Sequence, residues 1–266
     1  MTDRLVAAFR RAAGEQRLAL ITLVLPGFPG VGETEAMFDA MVEGGADIVE
    51  VEIPFSDPLA DGTTVQRVAF EALANGTTPA GCIDFVRRMR ARHPETPIVF
   101  MTYLNPVLAY GLERFATDSA AAGADAVILV DLPPEEAAPA KAAFERAGLD
   151  LIFLVAPTST QERIELICSR ASGFVYCVSV TGVTGARTEL PADLGAFLRR
   201  VRSCTNLPLA VGFGISRREH IEALSGLVDG VVVGSALLNV AGESKPHERA
   251  DAVRDYVEVL SGRRRP

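Results

Sequence analysis

Lysine, histidine and cysteine are scarce in this 266-residue chain, and each scarcity closes a route to function. Only Lys141 and Lys245 occur, both in stretches of helical or loop pattern away from the expected strand ends, so a Schiff-base enzyme would lack its amine. His93, His220 and His247 precede an apolar run, sit inside a helical stretch and fall in the last loop, respectively, so no metal site is expected. Cys82, Cys168, Cys177 and Cys204 have no metal-ligand spacing and read as buried free thiols rather than disulfides. No Gly-x-Gly-x-x-Gly opens a helix after a strand, which leaves dinucleotide binding without support, and no cofactor is expected. A formal net charge of -8 argues against a nucleic-acid partner, and the basic Arg263 to Arg265 reads as a solvated end. Apolar runs stay short and Met1 to Leu18 carries charges throughout, so neither a signal peptide nor a membrane span is expected; the reading is cytoplasmic.

What is present is an alternation. Short apolar, β-branched runs recur at Ala19–Leu25, Asp47–Ile53, Pro97–Tyr103, Ala126–Leu132, Leu151–Val155, Phe174–Val180, Leu209–Phe213 and Val228–Val233. Between them lie stretches of helical period, among them Thr34–Glu43, Pro79–Arg92, Leu112–Ala122, Glu135–Ala147, Gln161–Arg170, Leu194–Val201 and Arg217–Leu224. Glycines such as Gly45, Gly123 and Gly148 stand where helices should end. Continuous apolar strands alternating with amphipathic helices imply a parallel sheet covered on both faces. Eight such units predict a closed α/β (β/α)8 barrel with an extra N-terminal helix, a doubly wound open sheet being the alternative. The 48% hydrophobic content is evenly spread and no linker interrupts it, so one domain over residues 1–266 is expected.

In such a barrel the chemistry lies at the C-terminal ends of the strands, and the notable residues fall there. Glu50 to Gly62 places Glu50, Glu52, Asp57 and Asp61 on or just after the second run. The two-residue period points Glu50 and Glu52 to one face, with Val49, Val51 and Ile53 on the other. A solvated acidic strand end would show the same pattern. Tyr103, Asn105, Asp131 and Thr158 follow later strands, and Thr181 to Ala186 is small enough for a mobile lid. Gly212-Phe213-Gly214 and Gly234-Ser235 end the last two strands, where backbone N–H groups at a helix start can hold a phosphate without lysine. The sum is acid–base chemistry by carboxylates on a phosphorylated substrate that supplies its own electron sink.

These residues resemble the tryptophan synthase α-subunit family. The resemblance is carried by Glu50 with Pro54-Phe55-Ser56-Asp57-Pro58-Leu59-Ala60-Asp61-Gly62, then Tyr103-Leu104-Asn105-Pro106, Asp131-Leu132-Pro133-Pro134, Ala156-Pro157-Thr158-Ser159, Ser179 to Ala186 and Gly212 to Ser216, in order along nearly the whole chain. It implies retro-aldol cleavage of indole-3-glycerol phosphate to indole and glyceraldehyde 3-phosphate. Glu50 matches the family's general acid–base residue and Asp61 the carboxylate that holds the indole N–H. Tyr103 and Tyr176 match tyrosines of the substrate region; Thr184 belongs to the matching lid segment; Gly185, Phe213, Gly214, Gly234 and Ser235 match phosphate-side positions. Ser56, Asp57, Pro58 and Asn105 match a face that in the family docks a pyridoxal-phosphate β subunit, implying an α2β2 complex.

Departures from that pattern gather around the ring end. Glu52 stands where the family usually has glycine. Thr22, Leu23, Leu25 and Pro26 replace a proline, an aromatic, a threonine and a small residue, and Thr63 replaces a proline. Three functions are therefore compatible with the sequence: the α subunit of a synthase complex, a stand-alone or divergent lyase that needs no β subunit, and a catalytically weak paralogue acting as an allosteric partner.

Overall fold

A computed structural model describes residues 2–178, 193–212 and 214–264. Eight parallel strands close on themselves: β1 (Ala19–Val24), β2 (Ile48–Glu52), β3 (Ile98–Thr102), β4 (Ala126–Leu129), β5 (Asp150–Val155), β6 (Val175–Val178), β7 (Leu209–Gly212) and β8 (Gly230–Val233). Closure is made by β1 against β8, with Ala19 beside Gly230 and Thr22 beside Val233, which excludes the open sheet. β1 to β4 are shorter than the apolar runs that announced them, because buried positions such as Leu25, Ile53, Tyr103 and Leu132 continue past the strand ends into the loops, whereas β5 begins one residue before its run.

The helices are α1 (Asp3–Gly14), α2 (Glu33–Gly44), α3 (Thr63–Ala74), α4 (Pro79–Arg92), α5 (Leu104–Tyr110), α6 (Leu112–Ala122), α7 (Ala138–Ala147), α8 (Gln161–Arg170), α9 (Leu194–Arg202), α10 (Arg218–Ala223), α11 (Ser235–Glu243) and α12 (Arg249–Ser261). Sequence signals for the ends of several of these hold: Thr78 accepts the Gly81 N–H to cap α4, and Gly45, Gly123 and Gly148 take left-handed conformations after α2, α6 and α7. The periodicity did not single out α3, α5, α11 or α12. The first three begin beside the loops and glycines expected to carry function, and the fourth packs against α2.

Strand parity divides the core in two. Val49, Val51 and Ile53 face outward into the shell shared with the helices, while Ile21, Ile48, Val99, Ile128, Ile152, Phe174 and Val232 fill the barrel. Leu5, Ala8, Phe9 and Ala12 of α1 join that inner cluster, and the Phe9 ring meets Phe174 edge-on at 5.8 Å. The extra N-terminal helix is thus a stopper for the bottom of the barrel. Burying each such ring contributes roughly 1.5–3 kcal/mol.

Buried acids at the bottom are paired. Asp125, before β4, accepts from Arg4 Nε and Arg90 Nη2 at 2.8 Å each and from the Ile98 N–H at 2.9 Å. Asp47, before β2, accepts from Arg17 Nη2 and the Leu20 N–H, both at 2.9 Å. Three of the four cysteines are buried free thiols as expected; Cys204 is only partly buried. Among the described residues no helix is long and apolar enough to cross a membrane.

Candidate active site

Glu50 sits inside β2, paired in register with Leu23 of β1 and Val99 of β3, so its side chain projects into the barrel below the mouth. It is fully buried, and neither carboxylate oxygen has a hydrogen-bond partner among the described residues. Burial alone raises its pKa to about 8, because nothing offsets the desolvation of a carboxylate. Asp61 descends from the β2–α3 loop into the same space. Its Oδ2 accepts the Tyr103 hydroxyl at 2.7 Å, and that hydroxyl accepts the Ala60 N–H at 3.0 Å. Burial pushes the Asp61 pKa up and the Tyr103 hydrogen bond pulls it back, so Asp61 ionises more readily than Glu50.

Both acids border one cavity at the barrel mouth. Its walls are Leu23, Met101, Val130, Leu154, Tyr176 and Val232, and no lysine, arginine or histidine lines it among the described residues. Sequence reasoning missed most of this wall, since inward-facing aliphatics carry no signal beyond strand parity. Among the described residues, no group of three His, Cys, Asp or Glu side chains is arranged to hold a metal ion.

The β7 and β8 side of the cavity is backbone. Gly214, Gly234, Ser235 and Ala236 line it, and α11 starts there. Gly234 offers no side-chain cap, and the first bond of the helix runs from the Leu238 N–H to the Gly234 carbonyl. The preceding N–H groups therefore lack intrahelical partners and carry the positive end of the helix dipole toward the cavity. Gly214 has φ +92°, which an L side chain rarely adopts. Gly212 serves differently: a Cβ there would lie 2.1 Å from the Tyr176 hydroxyl oxygen, so its missing side chain makes room for that ring.

The structure thus brings together Glu50, Asp61, Tyr176, Gly214, Gly234 and Ser235, with Tyr103 behind Asp61 as its hydrogen-bond donor. Thr184, Gly185 and Phe213, and with them the lid segment Thr181 to Ala186, lie outside the described residues. Ser56, Asp57 and Asn105 are exposed on the outer side of the mouth, whereas Pro58 is buried beneath its loop.

The description "Tryptophan synthase alpha chain" belongs to the family model that matches residues 9–262. The tryptophan synthase alpha chain of Roseiflexus castenholzii is 49% identical over 260 residues, covering 98% of this chain and 100% of the relative. That of Geobacter sulfurreducens is 47% identical over 258 residues, covering 97% of each. Among solved structures, Mycobacterium tuberculosis tryptophan synthase superposes with a TM-score of 0.90 at 37% identity, covering 98% of each chain. The α subunit from Legionella pneumophila superposes at 0.88 with 33% identity, covering 98% of this chain and 100% of that one. With its closed barrel, its paired acids at the mouth and matches of this extent, the chain belongs to the tryptophan synthase alpha chain family, the carbon–carbon lyases of tryptophan biosynthesis.

Proposed function

We propose that Glu50 moves the protons and Asp61 anchors the ring in cleaving indole-3-glycerol phosphate to indole and glyceraldehyde 3-phosphate. The observation that carries the assignment is the separation of the two acids: buried Glu50 keeps its proton to about pH 8, while Asp61 is helped to ionise by Tyr103. At neutral pH one is therefore an acid and the other an anion. Glu50 protonates indole C3; the cationic indolenine that forms has its N–H held by the Asp61 carboxylate, a charge-assisted bond worth about 1.5–3 kcal/mol. The C–C bond to the glycerol carbon then breaks. Its electrons restore the aromatic ring as the adjacent hydroxyl becomes an aldehyde and returns its proton to the Glu50 carboxylate. The apolar wall takes the ring, and the start of α11 takes the phosphate.

Turnover of indole-3-glycerol phosphate by the purified chain tests this, read as a pH profile of kcat/KM. The rate should rise as Asp61 ionises, at a pH above that of an ordinary aspartate, and fall near pH 8 as Glu50 loses its proton. A profile flat through pH 8 removes Glu50 as the donor. Gly212→Ala should lower kcat/KM by about 10²-fold or more, because the added methyl displaces the Tyr176 ring from the cavity wall. A variant crystal structure with that ring unmoved would refute the cause.

The chain's docking partner, on this reading, is a tryptophan synthase β subunit in an α2β2 complex. Support comes from the outer mouth: Leu59 is 88% and Leu108 is 53% exposed, beside the exposed Ser56, Asp57 and Asn105. This face is joined to the chemistry through Ala60, whose N–H meets the tyrosine that holds Asp61. The cleavage rate should rise when a β subunit is added, and an unchanged rate with no complex on gel filtration would favour the stand-alone lyase.

A further inference from the structure

The lyase reading uses two buried carboxyls, yet a third is buried beside them. Glu52 lies two residues beyond Glu50 on the same inward face of β2, level with Met101 of β3, which lines the cavity. It is 3% exposed, and its buried Oε2 has no hydrogen-bond partner among the described residues. The titratable groups near it among the described residues are Glu50 on its own strand, Asp61 and Tyr103 from the loops after β2 and β3, Tyr176 on β6 and Cys82 on α4. All are acidic or neutral. The contrast with the bottom of the barrel is complete: Asp47 and Asp125 each receive arginine, whereas no cation lines the mouth cavity among the described residues.

A carboxylate in that setting is costly, and two neighbouring carboxyls in a dry site retain a proton between them. Geometry decides where it resides. Asp61 Oδ2 already accepts a hydroxyl whose own lone pair is engaged by a backbone N–H, an arrangement that suits an anion. Glu52 Oε2 has no donor to accept from among the described residues and is more deeply enclosed than Asp61.

We propose that Glu52 is a positioning residue of this site: a neutral carboxylic acid that carries the one proton of the Glu52–Asp61 pair and thereby leaves Asp61 as the anion for the substrate's ring N–H. The proposal rests on the lyase reading for its function, though not for its protonation state. Glu52 does not line the cavity and so acts through Asp61 rather than on substrate. Both carboxyls gain proton affinity from burial, and Glu52 gains more from Asp61 and Glu50 beside it. The neutral acid contributes a dipole next to the Asp61 charge, which an aliphatic side chain would not.

Two substitutions of similar size separate the possibilities. Glu52→Gln keeps a neutral polar group and should hold the acid limb of the kcat/KM profile near its wild-type position. Glu52→Leu removes the dipole, leaves Asp61 in apolar surroundings and should move that limb to higher pH by about one unit, with KM raised below it. Independently of turnover, an infrared difference spectrum of wild type minus Glu52→Gln at pH 7, without substrate, should contain the C=O stretch of a protonated carboxyl. Absence of that band overturns the proposal, as does a shift of the Glu52→Gln acid limb to lower pH, which would mean that an ionised Glu52 had been repelling charge on Asp61. An acid limb unmoved in a correctly folded Glu52→Leu reduces Glu52 to space filling. If the chain does not cleave indole-3-glycerol phosphate but the band is present, the lyase reading fails and the protonation assignment stands.

Discussion

Replacing Glu50 by glutamine should lower kcat on indole-3-glycerol phosphate by roughly 10²- to 10⁴-fold and should also stabilise the protein at alkaline pH. The first effect follows from position: the same carboxyl gives a proton to the ring and later takes one from the hydroxyl, and an amide can do neither. The second follows from the raised pKa. In the unfolded chain the glutamate is ionised above about 4.5, whereas in the fold it stays protonated until about 8. Stability owed to the neutral form is therefore fully present below the unfolded value and is lost as pH rises through that window. Glutamine has no proton to lose, so its advantage over wild type should be absent at acid pH, grow between pH 4.5 and 8, and reach at most a few kcal/mol beyond. Urea unfolding of both proteins at pH 5 and pH 8.5, beside kinetics, measures it. An equal stability difference at the two pH values would show that Glu50 is not buried as a neutral acid, and a kcat within tenfold of wild type would end its catalytic assignment.

Ser235→Asp should separate binding from folding in the opposite sense. Ser235 is the first residue of α11, where a carboxylate meets the positive end of the helix and contributes about 0.3–1 kcal/mol of stability. The same charge occupies the space proposed for the substrate phosphate. At about 4 Å and an effective dielectric near 20, each pair of like charges costs about 4 kcal/mol, so KM for indole-3-glycerol phosphate should rise by 10²-fold or more. Indole, which lacks the phosphate, should bind as before. An unchanged KM would move the phosphate elsewhere in the molecule; equal losses of indole and substrate affinity would point to a collapsed cavity instead.

Much of this site was legible in the residues because it depends on local periodicity. Glu50 and Glu52 share an inward face for the reason that any alternate strand residues do, and that parity holds in the barrel. Gly234-Ser235 at a strand end announced a helix start, and α11 begins there. Apart from Leu23, the aliphatic walls, Met101, Val130, Leu154 and Val232, were not legible as a site, since a side chain at a barrel mouth and one at its floor follow the same pattern. Nor did Gly212 reveal that its role is to admit a tyrosine from the neighbouring strand. A missing Cβ has meaning only once the adjacent ring is in place.

By itself, then, the order of residues determined the number of strands, their inward and outward faces and the placing of acids and glycines at strand ends, all consequences of chain geometry over a few residues. The tertiary structure decided which acids are neutralised. Asp125 and Glu50 are both carboxyls set among apolar strand residues, but the fold brings Arg4 from 121 residues away and Arg90 from 35 residues away to the first. It buries the second in a cavity with no cation, and with no hydrogen-bond partner for either oxygen, among the described residues. Proton affinity is set by the sum of desolvation and neighbouring charge, and both are supplied by elements that meet only when the barrel closes.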